Sequence, residues 1–301
     1  MSINYSNSLK KLKGTGVAIV TPFEKNGDVD YVALTKLIEH LLRGKVEYLV
    51  VLGTTGESVT LSKEEKTKIV GHVKKVVRKR VPIVIGIGGN NTLEVIETIK
   101  HTDFAGIEAI LSVSPYYNKP TQQGIYEHYK AIAQSTLMPI ILYNVPGRTG
   151  SNIAAETTLR LANDFKNIIG IKEASANLEQ QHMKIIRDKP TNFLVISGDD
   201  ALTLPVIACG GDGVISVVAN AYPKDFSDMV RLSLKGDFVK ARKLHYKLTE
   251  FIDLLFADGS PGGIKEALVR LGIGKNYLRL PLQSPNNAVI AKIDKFVKNY
   301  K

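Results

Sequence analysis

Short runs of β-branched and apolar residues recur along this chain, each followed by a stretch with helical periodicity, and this recurrence restricts the fold more than any other feature. The runs occupy residues 17–23, 48–53, 82–87, 109–115, 139–144, 168–174, 193–198 and 213–218. Their spacing, roughly 20 to 35 residues, is that of a βα unit. Most are nearly continuously apolar, as parallel strands covered on both faces are. Eight such units in series, without a long linker, predict an α/β fold of the (β/α)8 or TIM barrel type. An open doubly wound sheet would need a crossover at a switch point and gives no reason to stop at eight.

The intervening segments carry their own helix chemistry. Leu34, Leu37, Ile38, Leu41 and Leu42 form one stripe, which Gly44 is expected to end as a C-terminal glycine. Ser62 followed by Glu65 reads as a capping box for a helix burying Ile69, Val70, Val73, Val76 and Val77, and Asn91 with Glu94 repeats the signal. Beyond residue 218 the strand pattern stops, and 237–257, 262–271 and 285–300 are helical in period, separated by Gly and Pro. The expected organisation is a catalytic barrel over 1–235 and a C-terminal helical extension over 236–301. The length of 301 residues fits one such unit as well as two average domains.

Composition excludes several classes. The single cysteine, Cys209, forbids an intramolecular disulfide and suits a reducing compartment. The histidines (40, 72, 101, 128, 182 and 245) show no metal-ligand spacing, so no metal site is expected. A formal charge of +11 raises the question of a nucleic-acid partner. The basic residues are spread thinly, however, and the densest runs are Lys10, Lys11, Lys13 and Lys74, Lys75, Arg78, Lys79, Arg80. The second closes a helical pattern, where cations complement the helix dipole. No basic motif interleaved with aromatics is present, and neither a nucleic-acid nor a membrane partner is expected. The opening residues lack the apolar stretch of a signal peptide, so the expected location is the cytoplasm.

In a barrel of this kind chemistry belongs where the strands end and the βα loops converge. The sequence places polar groups there repeatedly: Gly53-Thr54-Thr55-Gly56-Glu57-Ser58 after the second run, Tyr143 through Thr149 at the fifth, Lys172 in the sixth, and Ser197-Gly198-Asp199-Asp200 at the seventh. Lys172 interrupts an apolar run. A buried ammonium without partners costs several kcal/mol, which favours the neutral amine, the form that attacks carbonyl carbons. The alternative is an ion pair with Glu173 or a lysine reaching solvent. Thr54 and Thr55, between glycines, offer hydroxyls and N–H groups to a carboxylate, or form only a tight turn. Tyr143 is placed to pass protons, or to be satisfied by a backbone carbonyl. Arg148 is placed to fork onto a carboxylate, or to lie free in a loop. A phosphate-binding isomerase barrel would want a cradle after the last two strands, where Asp199, Asp200 and Asp212 instead bring negative charge.

Taken together, the segments GTTGES (53–58), SPYYNKP (114–120), YNVPGRT (143–149), GIKEAS (170–175), SGDD (197–200) and GVISV (213–217) resemble the pyruvate-dependent class I aldolase superfamily, which includes dihydrodipicolinate synthases and N-acetylneuraminate lyases. The resemblance runs from Gly16 to the C-terminal helices, and the first and third segments point to the dihydrodipicolinate synthase family within it. It implies a lyase that condenses pyruvate with L-aspartate 4-semialdehyde to give 4-hydroxy-tetrahydrodipicolinate, the first committed step towards diaminopimelate and lysine. The alternative within the superfamily is retro-aldol cleavage of a sialic acid or 2-keto-3-deoxy sugar acid. Arg148 weighs against it, since a forked cation suits a carboxylated aldehyde better than a polyol.

The same resemblance implies roles by residue. Lys172 forms the imine. Tyr143, Thr54 and Tyr117 relay protons, with Tyr117 reaching into a neighbouring subunit. Thr55 holds the pyruvate carboxylate, Arg148 the carboxylate of the semialdehyde, and Gly198 and Ile215 contact the keto acid or orient the lysine. No cofactor is implied, because the lysine supplies the electron sink. The implied assembly is a homo-oligomer, a tetramer built from tight dimers. Ser58, Asn90, Glu94 and Tyr116 match positions of an allosteric lysine site, but Lys63 and Lys66 stand where lysine-sensitive enzymes tend to carry histidine. Like-charge repulsion there predicts weak or absent feedback by lysine.

Overall fold

The computed structural model describes residues 5–300; the very start of the segment read for a leader, residues 1–4, and residue 301 lie outside the described residues. Eight parallel strands close into a TIM barrel in sequence order: β1 (Gly14–Ala18), β2 (Tyr48–Val51), β3 (Ile83–Gly86), β4 (Ala109–Val113), β5 (Ile140–Asn144), β6 (Ile168–Glu173), β7 (Leu194–Ser197) and β8 (Gly213–Ser216), with β8 returning to β1. Side chains alternate across this sheet. One set, including Ala18, Tyr48, Val50, Val84, Leu111, Ile141, Tyr143, Ile169, Ile196 and Ile215, packs inside the barrel. The other, including Val17, Leu49, Ile83, Ile140, Leu142, Ile171 and Val195, packs outward against the helices. Burial on both faces is why the strands read as unbroken apolar runs.

The strand ends differ from expectation most at β1, which starts three residues before the predicted run, at Gly14, and leaves the sheet after Ala18. Gly14 N bonds Asp212 O at the base of the barrel, which begins the ladder early. Beyond Ala18 the chain is buried but no longer paired as a strand: Val20 N turns to Asn220 Oδ1 and Phe23 bridges to Val29. An apolar run reports burial and cannot mark where a ladder stops.

The helix Tyr31–Arg43 buries Leu34, Leu37, Ile38 and Leu41 as expected. Gly44 caps it with φ −72°, and Lys45 makes the left-handed turn instead. The glycine answers to space: a Cβ there would stand 2.4 Å from Pro223 Cβ. Ser62 and Glu65 form the reciprocal capping box of the helix Lys63–Val77. Asn91 caps Thr92–Lys100 through Leu93 N alone, and the return bond from Glu94 is missing among the described residues. After β8, helices Pro223–Leu234, Phe238–Phe256, Gly262–Arg270 and Asn287–Asn299 complete the chain.

Two cations of the densest basic run are held by carboxylates. Lys74 meets Asp103 at 3.0 Å and Arg80 forks onto Glu39, so the densest basic run is a solvated helix end. Asp212 lies before β8, at the base and away from the mouth, held by Lys13 and Lys189 at 2.8 and 2.9 Å. Its expected place among mouth carboxylates is therefore corrected. No helix among the described residues is long and apolar enough to cross a membrane.

Candidate active site

Lys172 is the centre of the mouth. It sits on β6, 6% exposed, directly opposite Tyr143 of β5 in the parallel register. Its Nζ lies 4.3 Å from the centroid of the tyrosine ring. No carboxylate among the described residues pairs with it. The expected alternative, an ion pair with Glu173, fails for a geometric reason: adjacent strand residues face opposite sides of the sheet. Glu173 points outward, where Asn144 Nδ2 donates to both its carboxylate oxygens, at 3.0 and 2.9 Å.

Tyr143 is nearly buried, and its hydroxyl bonds no described protein group. Tyr129 and Tyr48 take the satisfied role weighed above, donating to Ser112 O at 2.9 Å and Val214 O at 3.5 Å. Gly198, just after β7, lies behind the lysine, where a Cβ would be 3.1 Å from Lys172 Cε. Ile215 on β8 belongs to the same inner cluster as Tyr143. Asp200 braces the next loop, its Oδ2 accepting from Val217 N and Val218 N at 3.0 and 3.1 Å. Burial pushes its carboxyl up to about 6.

The β2 loop turns through the short 3-10 helix Thr54–Gly56, with Thr55 buried and Thr54 exposed. Its anchor is a residue that the motif contained but the sequence reading left without a role. Glu57 takes a left-handed backbone (φ 53°) and is fully buried. Its carboxylate accepts from Lys265 Nζ, and its other oxygen from Arg279 N at 3.1 Å. Lys265 also donates to Tyr277 O at 2.8 Å, and both cations lie over the Phe23 ring. The C-terminal helices are thus tied by a buried ion pair to the loop that carries Thr54 and Thr55. An acidic residue directly after a glycine and a lysine inside an apolar helix were the available signals, but their 208-residue separation hid the pairing.

Tyr117 is 88% exposed and does not join this cluster within the chain. It is the centre of a γ-turn: its φ is +71°, and Asn118 N bonds Tyr116 O at 2.8 Å across it. A positive φ on an aromatic residue is strained, and here it holds a large ring out in solvent. Arg148 is exposed on the short helix Pro146–Thr149 and lines a cleft of about 670 Å³ with Phe256, Asp258, Ser260 and Leu278. Of the four residues matched to a lysine site, Asn90 and Tyr116 are brought together by a 3.1 Å bond from Asn90 Nδ2 to Tyr116 O. Ser58 opens the turn Ser58–Thr60, and Glu94 lies in the first turn of Thr92–Lys100.

The arrangement brings a buried amine, a tyrosine hydroxyl and a tightly fitted glycine backbone to one end of a barrel, with an arginine at the rim. That is the equipment for imine chemistry on a small keto acid.

The dihydrodipicolinate synthetase family model matches residues 11–300. The chain is 54% identical over 285 residues to the 4-hydroxy-tetrahydrodipicolinate synthase of Flavobacterium psychrophilum, covering 95% of this chain and 97% of that one. It is 56% identical over 271 residues to the enzyme of the same name from Parabacteroides distasonis, 90% of this chain and 91% of the other. Among solved structures, the chloride-inhibited dihydrodipicolinate synthase of Acinetobacter baumannii complexed with pyruvate superposes with a TM-score of 0.92 at 40% identity, covering 95% and 98% of the two chains.

Proposed function

This chain belongs to the dihydrodipicolinate synthetase family, and from that premise we propose that it condenses pyruvate with L-aspartate 4-semialdehyde through an imine on Lys172, releasing 4-hydroxy-tetrahydrodipicolinate. The observation that carries the reading is the buried amine of Lys172 facing Tyr143 at 4.3 Å, with no carboxylate among the described residues bound to it. The relatives' shared synthase name supports condensation and gives no support to cleavage of a sialic or sugar acid. The product places the enzyme at the start of the diaminopimelate and lysine route.

In this reading the lone pair of Nζ adds to the keto carbon of pyruvate, and loss of one water with uptake of one proton gives the protonated imine. The positive imine nitrogen draws electrons from the methyl group, which gives up a proton to form an enamine. The enamine carbon bonds to the aldehyde carbon of the second substrate, and the aldehyde oxygen takes a proton to become the 4-hydroxyl. The substrate's own amino nitrogen then closes the ring on the imine carbon and expels Lys172. Pyruvate plus semialdehyde thus gives product plus one water.

Tyr143, facing the lysine, is the proton carrier nearest the reacting atoms, with Thr54 and Tyr117 completing the relay. Tyr117 is exposed in its own chain, and we assign it to a neighbouring subunit's mouth, which makes a tight dimer part of the mechanism, within an assembly we take to be a tetramer of such dimers. Thr55 binds the pyruvate carboxylate, Arg148 forks onto that of the semialdehyde, and the backbone at Gly198 and Ile215 lines the keto-acid site. No organic cofactor or metal enters the scheme, because the lysine itself is the electron sink. A cytoplasmic location fits the single free thiol and these metabolites.

The test is chemical. Borohydride added with pyruvate should fix a three-carbon adduct on Lys172, found by peptide mass spectrometry, and Lys172→Ala should abolish both the adduct and turnover with the semialdehyde. An adduct elsewhere, or full turnover by the variant, would overturn the assignment.

A further inference from the structure

The strand pairing that carries Lys172 is irregular. Ile140 of β5 lies opposite Ile168 of β6, but the next pair is Ile141 with Gly170, so β6 holds an extra residue at that point. Such a bulge resets which face of the sheet each later residue takes. The packing records the reset. On β5, Ile140 and Leu142 face outward while Ile141 and Tyr143 face inward. On β6, Ile168 faces outward and Ile169 inward, yet Ile171 faces outward again. Unbroken alternation from Ile169 would have put Ile171 inside and Lys172 among the helices. The bulge puts Lys172 beside Tyr143. Gly170 closes the bulge, at a point where a Cβ would stand 2.8 Å from Leu194 O of β7.

One residue further on, the outward side chains of the same two strands are bonded to each other. Asn144 lies opposite Glu173 in the register, and its Nδ2 spans both carboxylate oxygens. Each partner is fixed in turn. Asn144 Oδ1 accepts from Ile153 N at 2.9 Å, beyond the turn that carries Arg148, and Glu173 Oε1 accepts from Ser175 N at 2.8 Å. Glu173 is fully buried, and burial raises its carboxyl above the ordinary range. A buried carboxylate is costly to keep where an apolar side chain would pack as well.

We propose that Asn144 and Glu173 are positioning residues: their bridge holds β6 in its bulged phase against β5, and so delivers Lys172 to Tyr143 on the other side of the sheet. The proposal rests on the reading of Lys172 as the imine-forming lysine. A slip of β6 by one residue would bury Lys172 among the helices and leave Ile171 in the mouth. The bridge opposes that slip beyond what the bulge itself does, because a shifted β6 would part Asn144 from the buried Glu173 carboxylate.

The experiment compares wild type with Glu173→Gln, Glu173→Leu, Asn144→Ala and the double variant Asn144→Ala/Glu173→Leu. It measures kcat, KM for pyruvate, the rate of borohydride trapping on Lys172, and thermal midpoint. Glu173→Gln keeps one acceptor for Asn144 and should lose about tenfold in kcat, and Glu173→Leu about a hundredfold, as displaced reacting groups do. Trapping should slow by the same factors, while KM for pyruvate changes by less than about threefold, the split expected when orientation and not binding is lost. The double variant should be no worse than Glu173→Leu by more than about twofold, because one lock is opened once. Ile83→Val, a buried outward residue on β3 away from the bridge, should lower the melting point and leave kcat alone. Wild-type kcat and trapping in the bridge variants, or losses that multiply in the double variant, would overturn the lock. If Glu173→Leu does not fold, Glu173→Gln and Asn144→Ala carry the same comparison. Failure of wild type to trap pyruvate at Lys172 strikes the imine reading and this proposal with it, whereas wild-type trapping with undiminished variants strikes the lock alone.

Discussion

Gly198 is packed against Lys172 so closely that a Cβ on the glycine would stand 3.1 Å from the lysine Cε, 3.1 Å from Glu173 O and 2.6 Å from Ala174 Cβ. Two of these neighbours are backbone or a stub fixed to it, so the flexible member, the lysine, is the one to be displaced. Gly198→Ala should therefore lower kcat by roughly ten- to a hundredfold through misplacement of the amine, with a stability loss of about 1–3 kcal/mol from overpacking. Gly147→Ala, where a Cβ meets nothing within 4 Å, is the matched control and should change neither quantity. Steady-state kinetics and urea unfolding on the pair decide the matter. Equal activity in both variants would mean the lysine has room that the packing denies.

The buried pair of Glu57 and Lys265 supports a second prediction. Lys265→Met would strand a carboxylate that is 1% exposed, and leaving one partner of a buried pair uncompensated costs about 3–5 kcal/mol. Because Glu57 follows Thr54 and Thr55 in the same loop, KM for pyruvate should rise as well. Replacing both partners, Glu57→Gln with Lys265→Met, removes the stranded charge and should recover part of the stability. Urea unfolding of the two variants reads the difference. A single variant within about 1 kcal/mol of wild type would show that the pair is not what holds the loop.

The barrel was legible in the sequence because its strands are buried on both faces, which writes each one as an apolar run, and because the runs are eight. Lys172 was legible for the same reason, as a charge inside such a run. The alternative weighed for it, an ion pair with Glu173, fails because strand alternation sends the two side chains to opposite sides of the sheet. The bulge at Gly170 left no local mark beyond the glycine. Glu57 with Lys265 joins residues distant in sequence, and no periodicity encodes a pairing of that kind. Tyr117 could be named only by resemblance, since the γ-turn that holds it out depends on the bond between Asn118 N and Tyr116 O.

Feedback by lysine is expected to be weak. Ser58, Asn90, Glu94 and Tyr116 include one carboxylate able to face an effector ammonium, but Lys63 and Lys66 open the helix that begins directly after the loop carrying Ser58. Two ammonium groups near a cationic effector oppose it by like-charge repulsion. Millimolar L-lysine should leave the initial rate nearly unchanged, whereas Lys63→His/Lys66→His should become more sensitive. Half-inhibition of the wild type at micromolar lysine would show that the two cations do not face the effector.

Stability should fall on mild acidification through His128. The ring is buried on the helix Gln122–Ser135, with Nδ1 against Thr92 Oγ1 at 2.8 Å and Nε2 enclosed without a partner. Burial pushes the imidazole down to about 4. The sign follows from proton counting. Between pH 6.5 and 4 the unfolded chain binds a proton at this histidine that the folded chain refuses, so the unfolded state gains as pH falls, and above pH 6.5 neither state is charged there. At 1.36 kcal/mol per unit, the loss reaches about 3 kcal/mol by pH 4. Asp200 works in the opposite direction, because a carboxyl raised to about 6 takes its proton first in the folded state. The measurement that isolates the histidine is therefore the difference between wild type and His128→Gln in urea unfolding at pH 7 and pH 4.5. The wild type should lose more stability across that interval, and parallel curves would mean that the ring is not kept neutral by burial.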